Sequence, residues 1–231
     1  MITLSSRLKA VYDQVDAARK ELGPGRVIDV GSDHGLLAVS CLENKIATSV
    51  ICTEIHEGPA DHSKEALKEA GFEDVSDVFV TDGLNGIKLE KGDVIVIAGM
   101  GGLNIIDIIT RCKETETPEM LKKVSFVIQA QKSNNLVRRF FSEQGFVFDD
   151  ESVCTDRDFF YNIMRMSYGA KPYTLDAYKE CYGPLLTEKA EAGEELVRFY
   201  FDHLDEVFSI RSRSDRVVRD ALEERQRHDN F

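Results

Sequence analysis

The sequence predicts an α/β fold: a Rossmann-like, doubly wound sheet of seven strands with a C-terminal helical hairpin behind it. Three observations lead there. Between residues 24 and 167, short runs rich in Val, Ile and Leu alternate with helical stretches. Next come two strand-like runs with no room for a helix between them, and from about residue 174 apolar residues recur at helical spacing.

Taken in order, residues 2–20 read as an amphipathic helix that precedes the first strand. Candidate strands are 26–30, 49–54, 77–81, 93–98 and 124–130. Each is almost continuously apolar, as parallel strands covered on both faces must be. Helices are expected over about 34–45, 57–70, 102–113 and 133–144, with Gly71 and Gly145 at C-terminal cap positions. The runs 146–154 and 159–166, joined by Thr155-Asp156-Arg157-Asp158, predict an antiparallel hairpin. Five parallel strands closed by such a hairpin make the sheet of a class I methyltransferase rather than that of a dehydrogenase. In the tail, Leu186, Leu196, Tyr200, Leu204 and Val207, then Val217, Val218, Ala221 and Leu222, predict two long helices broken near 209–214 and folded back on the sheet. The expected division is a sheet domain over 1–168 and a helical domain over 169–231.

Composition narrows the function. The chain has 231 residues, 42% hydrophobic and 30% charged, which suits a packed core. No apolar run reaches the ~20 residues of a membrane span, and residues 1–20 lack a signal-peptide stretch, so a cytoplasmic location is expected. Five cysteines without a Cys-x-x-Cys, and five histidines in no ligand pattern, predict neither a disulfide framework nor a metal. The net charge of −12 disfavours sequence-independent nucleic-acid binding, although a basic face on an acidic body is allowed.

The candidate site lies at the strand ends, where open α/β sheets bind ligands. The first strand runs into Val30-Gly31-Ser32-Asp33-His34-Gly35, in which Gly31 admits a ligand to the backbone and Gly35 eases helix packing. Asp29 is placed in this turn and Asp33 at the helix start; Glu54 ends the second strand and Asp82 follows the third. Each acid alone could merely cap a helix. Four together would repel a pyrophosphate and suit a cationic ligand that carries ribose hydroxyls and an adenine amine, such as S-adenosylmethionine. Glu54 is expected on the ribose and Asp82 on the adenine amine, with the 31–35 loop on the methionine end. After the fourth strand, Ala98-Gly99-Met100-Gly101-Gly102 replaces the Asn/Asp-Pro-Pro-aromatic of many amino-group methyltransferases. An open turn there favours a target atom with its own in-plane lone pair, such as a ring nitrogen.

Ser32-Asp33-His34, Glu54 with Glu57-Gly58-Pro59, Asp82-Gly83-Leu84, Ile97 to Gly102, Arg7-Leu8 and Tyr182-Gly183-Pro184-Leu185-Leu186 together resemble the bacterial tRNA (adenine-22-N1)-methyltransferases, the TrmK-like family. The resemblance spans almost the whole chain. It implies a Rossmann-like catalytic domain with a coiled-coil-like helical domain, S-adenosylmethionine as donor and a tRNA adenosine as acceptor. It adds Arg7, Gly83, Ala98 and Gly99 to Asp29, Gly31, Gly35, Glu54 and Asp82 on the cofactor. It puts His34, Met100 and Gln129 on the substrate and makes Asp33 the catalytic carboxylate, which would stabilise the positive charge that N1-methylation leaves on adenine. The chain departs from the family at Gly35-Leu36-Leu37-Ala38, where Ala-Tyr-Leu-Pro is common, and at Gln129-Ala130-Gln131, in place of Gln-Pro-Asn.

Basic residues available to RNA are Lys122, Lys123, Lys132, Arg138, Arg139, Arg157 and Arg165, plus the tail arginines from 211 to 227. Those in the tail alternate with Asp215, Asp220, Glu223 and Glu224, as on a solvated helix face. Tyr168, Tyr173 and Tyr178 could stack on bases or pack in a core. Two rival readings stand: a methyltransferase acting on a small molecule or protein, and a Rossmann-type binding protein without chemistry.

Overall fold

The computed structural model describes residues 2–229. Helix α1 (Ser6–Leu22) starts at Ser5, whose side chain accepts from the Leu8 N–H, and buries Val11, Val15 and Ala18 along one face. The chain continues through β1 (Arg26–Val30), α2 (Leu36–Glu43), β2 (Ser49–Glu54), α3 (Glu57–Glu69), β3 (Ser76–Val80), β4 (Val94–Met100) and α4 (Gly102–Thr115). Then come α5 (Pro118–Leu121), β5 (Ser125–Ala130), α6 (Asn134–Glu143) and the hairpin β6 (Phe146–Asp156) and β7 (Phe159–Tyr168). The sheet order is β3-β2-β1-β4-β5-β7-β6; the first five strands are parallel, and β7 runs antiparallel to both β5 and β6. This is the predicted seven-stranded sheet.

Alternate side chains of the apolar strands serve opposite layers. Ile28, Val30, Ile95, Ile97, Phe126 and Ile128 pack under α4 and α6. Val27, Val50, Cys52, Val94, Val96 and Val127 pack under α1, α2 and α3. Chain order reverses across β1, which has β2 on one side and β4 on the other. A crevice is therefore expected at the carboxyl ends of these strands. Among the described residues no helix is long and apolar enough to cross a membrane.

The tail differs from the two predicted helices. It forms α7 (Ala177–Tyr182), α8 (Pro184–Glu191), α9 (Glu195–Arg211) and α10 (Arg216–Asp229). Pro184 lacks the N–H needed to continue α7 and instead occupies the first turn of α8, and a second break falls at Gly193. The break predicted near 209–214 falls between α9 and α10. These helices share a third core, with Tyr182, Leu186, Val197, Phe201, Phe208 and Val218 packed beside Val153 of β6.

A buried charge pair ties the tail to the sheet. Arg138 of α6 is fully buried; its Nε donates to Glu151 Oε1 at 2.9 Å, and its Nη1 reaches the Cys181 carbonyl of α7 at 2.9 Å. Glu151 Oε2 accepts from the Leu185 N–H of α8 at 3.0 Å. Arg138 is thus unavailable to RNA. Arg139 pairs with Glu180, and the mostly buried Arg165 pairs with Glu21. All three were counted among the basic residues available to RNA, and each neutralises a carboxylate distant in sequence. Tyr168 packs against Phe146 and Tyr178 against Tyr182, so these two tyrosines serve cores.

Candidate active site

A cavity of about 410 Å³ opens at the carboxyl ends of β1, β2 and β3, within the usual size range of small-molecule sites. Its walls bring together Gly31, Glu54, Asp82 and Gly83 with Met100. Four of these five come from the expected cofactor set; Met100, expected on the substrate, stands here too.

The 31–35 loop is fastened from below. Gly31 N–H donates to the Thr53 carbonyl at 2.8 Å, and the Asp33 N–H donates to Glu54 Oε1. Ser32 Oγ lies 2.9 Å from Ser63 Oγ on α3, and Ser63 Oγ also donates to the Asp33 carbonyl at 3.3 Å. Gly31 has φ +75, and a Cβ there would collide with the Met100 side chain that closes over it. The backbone conformation is what favours glycine, since the Met100 methyl ends a flexible side chain that can shift aside. Gly35 starts α2 against Ser63, as its proposed packing role demands.

Glu54 is 8% exposed, and one of its oxygens organises the loop while the side chain still lines the cavity. An ionised carboxylate has about four acceptor positions, so ribose hydroxyls can be served as well. Asp82 is held in bidentate fashion by Arg111 of α4, at 3.0 and 3.1 Å, and Asp107 pairs with the same guanidinium at 3.0 Å. These carboxylates push the Arg111 pKa up. Arg111 fixes the plane of Asp82 and leaves its outer lone pairs for an amine. The sequence reading missed Arg111, Asn104, Asp107 and Ile108. Their spacing along α4 marks one helix face, which was the available signal.

A second group stands beside this cavity. Asp29 is in β1 rather than in the turn, because the strand hydrogen bonds run on to Val30. It is 5% exposed, and burial first, then Glu54, push its carboxyl up to about 7 against the opposing pull of Arg7. Arg7 Nη1 donates to Gln129 Oε1 at 3.0 Å, and the Gly99 N–H donates to the same oxygen at 3.1 Å. Gln129, expected to touch substrate, is fully buried. It positions Arg7 and the Gly99 turn instead, and its Nε2 is buried without a partner. Ala98 pairs with Gln129 across the β4–β5 ladder and packs toward the α1 layer, so neither Ala98 nor Gly99 lines the cavity.

Asp33 has φ +56, a conformation unusual for a residue with a Cβ, and its side chain is 73% exposed. It does not cap α2, whose N-cap is Gly35 without a side-chain hydrogen bond. Its carboxylate lies 3.7 Å from His34 Nε2, and the His34 ring stacks on His62 at 5.2 Å. Asp33 and His34 thus stand outside the cavity wall, facing solvent at its rim. Among the described residues no group of three or more His, Cys, Asp or Glu could hold a metal ion.

Comparison with known proteins bears on the family and the fold. The family model described as Methyltransferase domain matches residues 4–164. The chain is 26% identical to the tRNA (adenine(22)-N(1))-methyltransferase of Bacillus subtilis over 80% of its own length and 74% of the relative's. It is 31% identical to a Mycoplasma genitalium protein provisionally named a tRNA methyltransferase, over 72% of this chain and 73% of that one. The M. capricolum TrmK structure, in complex with S-adenosyl-homocysteine, superposes with a TM-score of 0.72 at 17% identity, covering 98% of this chain and 95% of that one, which shows the shared fold.

Proposed function

The chain belongs to the methyltransferase-domain family and, within it, to the TrmK-like proteins, and from that premise we propose that it transfers a methyl group from S-adenosylmethionine to N1 of an adenosine in tRNA, at position 22 as its Bacillus subtilis relative is named for. The observation that carries the donor assignment is the cavity lining: Glu54, Asp82 and Asp107 against the single cation Arg111, a charge balance that repels phosphates and accepts a sulfonium with free ribose hydroxyls.

The roles assigned to the residues follow their positions. Glu54 takes the ribose hydroxyls and Asp82, oriented by Arg111, takes the adenine amine; Gly31 and Gly83 keep the walls open. Asp29 and Arg7, of opposite charge, face the two charged groups of the methionine end. When bound, S-adenosylmethionine supplies an electrophilic methyl to the ring nitrogen. Asp33, with His34 beside it, meets the target base at the rim. Methylated adenine is cationic, so the Asp33 carboxylate stabilises the transition state more than the neutral ground state. The base must be extruded from folded RNA to reach this point. The expected location is the cytoplasm, and residues 1–168 carry the chemistry while 169–231 contribute to RNA placement.

Labelled-methyl transfer tests the reading. Unmodified tRNA should take the label from S-adenosylmethionine, and a metabolite pool or protein extract should not. Label in a small molecule or protein with none in tRNA would transfer the assignment to the first rival reading; no transfer and no cofactor binding would favour the second.

A further inference from the structure

A cleft of about 240 Å³ lies between the loop joining β5 to α6, the start of β7 and the side of α9. None of the described residues lining it is Asp or Glu, on a chain whose net charge is −12. The cofactor cavity, by contrast, carries three carboxylates. Lys132 and Arg211 stand exposed at the rim of the cleft. Among the described residues Lys132 has no ion-pair partner, and Arg211 has one, a long pair with Asp215 at 3.8 Å.

The floor is aromatic. Phe160 and His203 stack with ring centroids 5.3 Å apart, and Tyr200 lies 5.8 Å from Phe160. His203 is exposed and offers its outer face. Oδ1 of Asn134, also in the lining, is buried without a hydrogen-bond partner. The cleft adjoins the turn after β4: Lys132 Cε would lie 3.5 Å from a Cβ on Gly101, and Gln131 Nε2 4.0 Å from one on Gly99.

We propose that this cleft binds one nucleotide of the RNA substrate adjacent to the methylated one, its base stacked on His203 and its phosphate held between Lys132 and Arg211. The inference rests on the reading of the chain as a tRNA methyltransferase. Its physical basis is that single-stranded RNA is held by base stacking on aromatic side chains combined with cations that follow the backbone. An extruded adenosine strains its neighbours, and a stacking platform one step away restores what that neighbour loses. The acidic body disfavours RNA on its carboxylate-bearing faces, and this basic strip without carboxylates offers a place of contact.

The test uses the full chain, with unmodified tRNA as the probe. Affinity is measured by filter binding across a salt series for wild type, Lys132→Ala/Arg211→Ala and His203→Ala, with melting temperature as a fold control and S-adenosylmethionine affinity by calorimetry. The double variant should bind tRNA more weakly and show a salt slope shallower by roughly 0.7, the single-strand value for the one phosphate that the two cations share. His203→Ala should weaken binding about five- to a hundredfold, the range for a lost base–aromatic stack. Cofactor affinity should hold in all three. These rim side chains are exposed, so folding should survive; His203→Phe, which keeps a stacking face, should restore affinity. If wild type methylates tRNA and folded variants bind it normally with an unchanged salt slope, the cleft assignment is overturned. Loss of cofactor affinity in the variants would also overturn it, by placing these residues in the donor site. Failure of wild type itself to bind and methylate tRNA would instead overturn the functional reading on which the inference rests.

Discussion

Replacing Asp29 by Asn should stabilise the protein at alkaline pH while weakening its hold on the donor. The carboxyl sits in β1, 5% exposed, with its pKa pushed from 3.8 up to about 7 by burial and by Glu54. A raised carboxyl pKa means the folded protein holds a proton that the unfolded chain has released. Stability from this group is therefore complete below pH 3.8 and declines as pH rises to about 7. At ~1.36 kcal/mol per pH unit, that window amounts to about 4 kcal/mol. Asn keeps the shape and cannot ionise, so its urea midpoint should stay flat across the window. The variant should match wild type near pH 4 and exceed it at pH 8 by up to about 4 kcal/mol. Cofactor binding should move the other way. A cationic methionine end favours the Asp29 anion, so wild-type affinity should rise with pH until about pH 7 and its binding should release protons, while the variant binds weakly and without pH dependence. Urea unfolding from pH 4 to 8 and calorimetry in two buffers of different ionisation heat read both effects. A variant whose stability tracks wild type at every pH, or whose cofactor binding retains the wild-type pH dependence, would refute the role given to this carboxyl.

Glu54→Ala should weaken S-adenosylmethionine binding by ~1–3 kcal/mol, the scale for hydrogen bonds to a charged acceptor, and wild-type affinity by calorimetry would remove Glu54 from the site. Asp33→Asn should slow the chemical step ~10²–10⁴-fold in single-turnover kinetics at saturating substrates, with cofactor affinity much less affected; a near-normal rate in the folded variant would end the catalytic assignment. Glu151→Ala should cost about 3–5 kcal/mol in chemical denaturation, since it strands the fully buried Arg138 guanidinium without its counter-charge. A loss below 1 kcal/mol would show that the pair is not what joins the tail helices to the sheet.

The sheet was legible because burial on both faces leaves a plain record: 26–30 and 93–98 are mostly apolar without strict alternation, and the alternation reappears only in three dimensions as two separate cores. The hairpin was legible because Thr155 to Asp158 leaves no space for a crossover helix. At the site, carboxylates that follow strands could be read, since position along a strand fixes which end of the sheet a residue reaches. What stayed hidden depends on partners distant in sequence. Asp82 and Arg111 are 29 residues apart, so the clamp on the expected adenine acceptor shows only in the fold. Arg138 and Arg165 looked like free cations until Glu151 and Glu21 were found beside them. Gln129 looked like a substrate ligand, and the strand that carries it proved to be central and covered. In the tail, apolar spacing continues across Gly183-Pro184 and Gly193, so periodicity joined helices that the backbone separates.

The most direct test of a tRNA adenine-N1 methyltransferase is to incubate the purified protein with unmodified tRNA and S-adenosylmethionine, digest the RNA and identify the methylated nucleoside and its position by mass spectrometry. The expected product is 1-methyladenosine at position 22, absent when Asp33→Asn replaces wild type over the same interval. Methyl groups on another base or on an exocyclic nitrogen, or tRNA recovered without any added methyl by a protein shown to bind the donor, would contradict it.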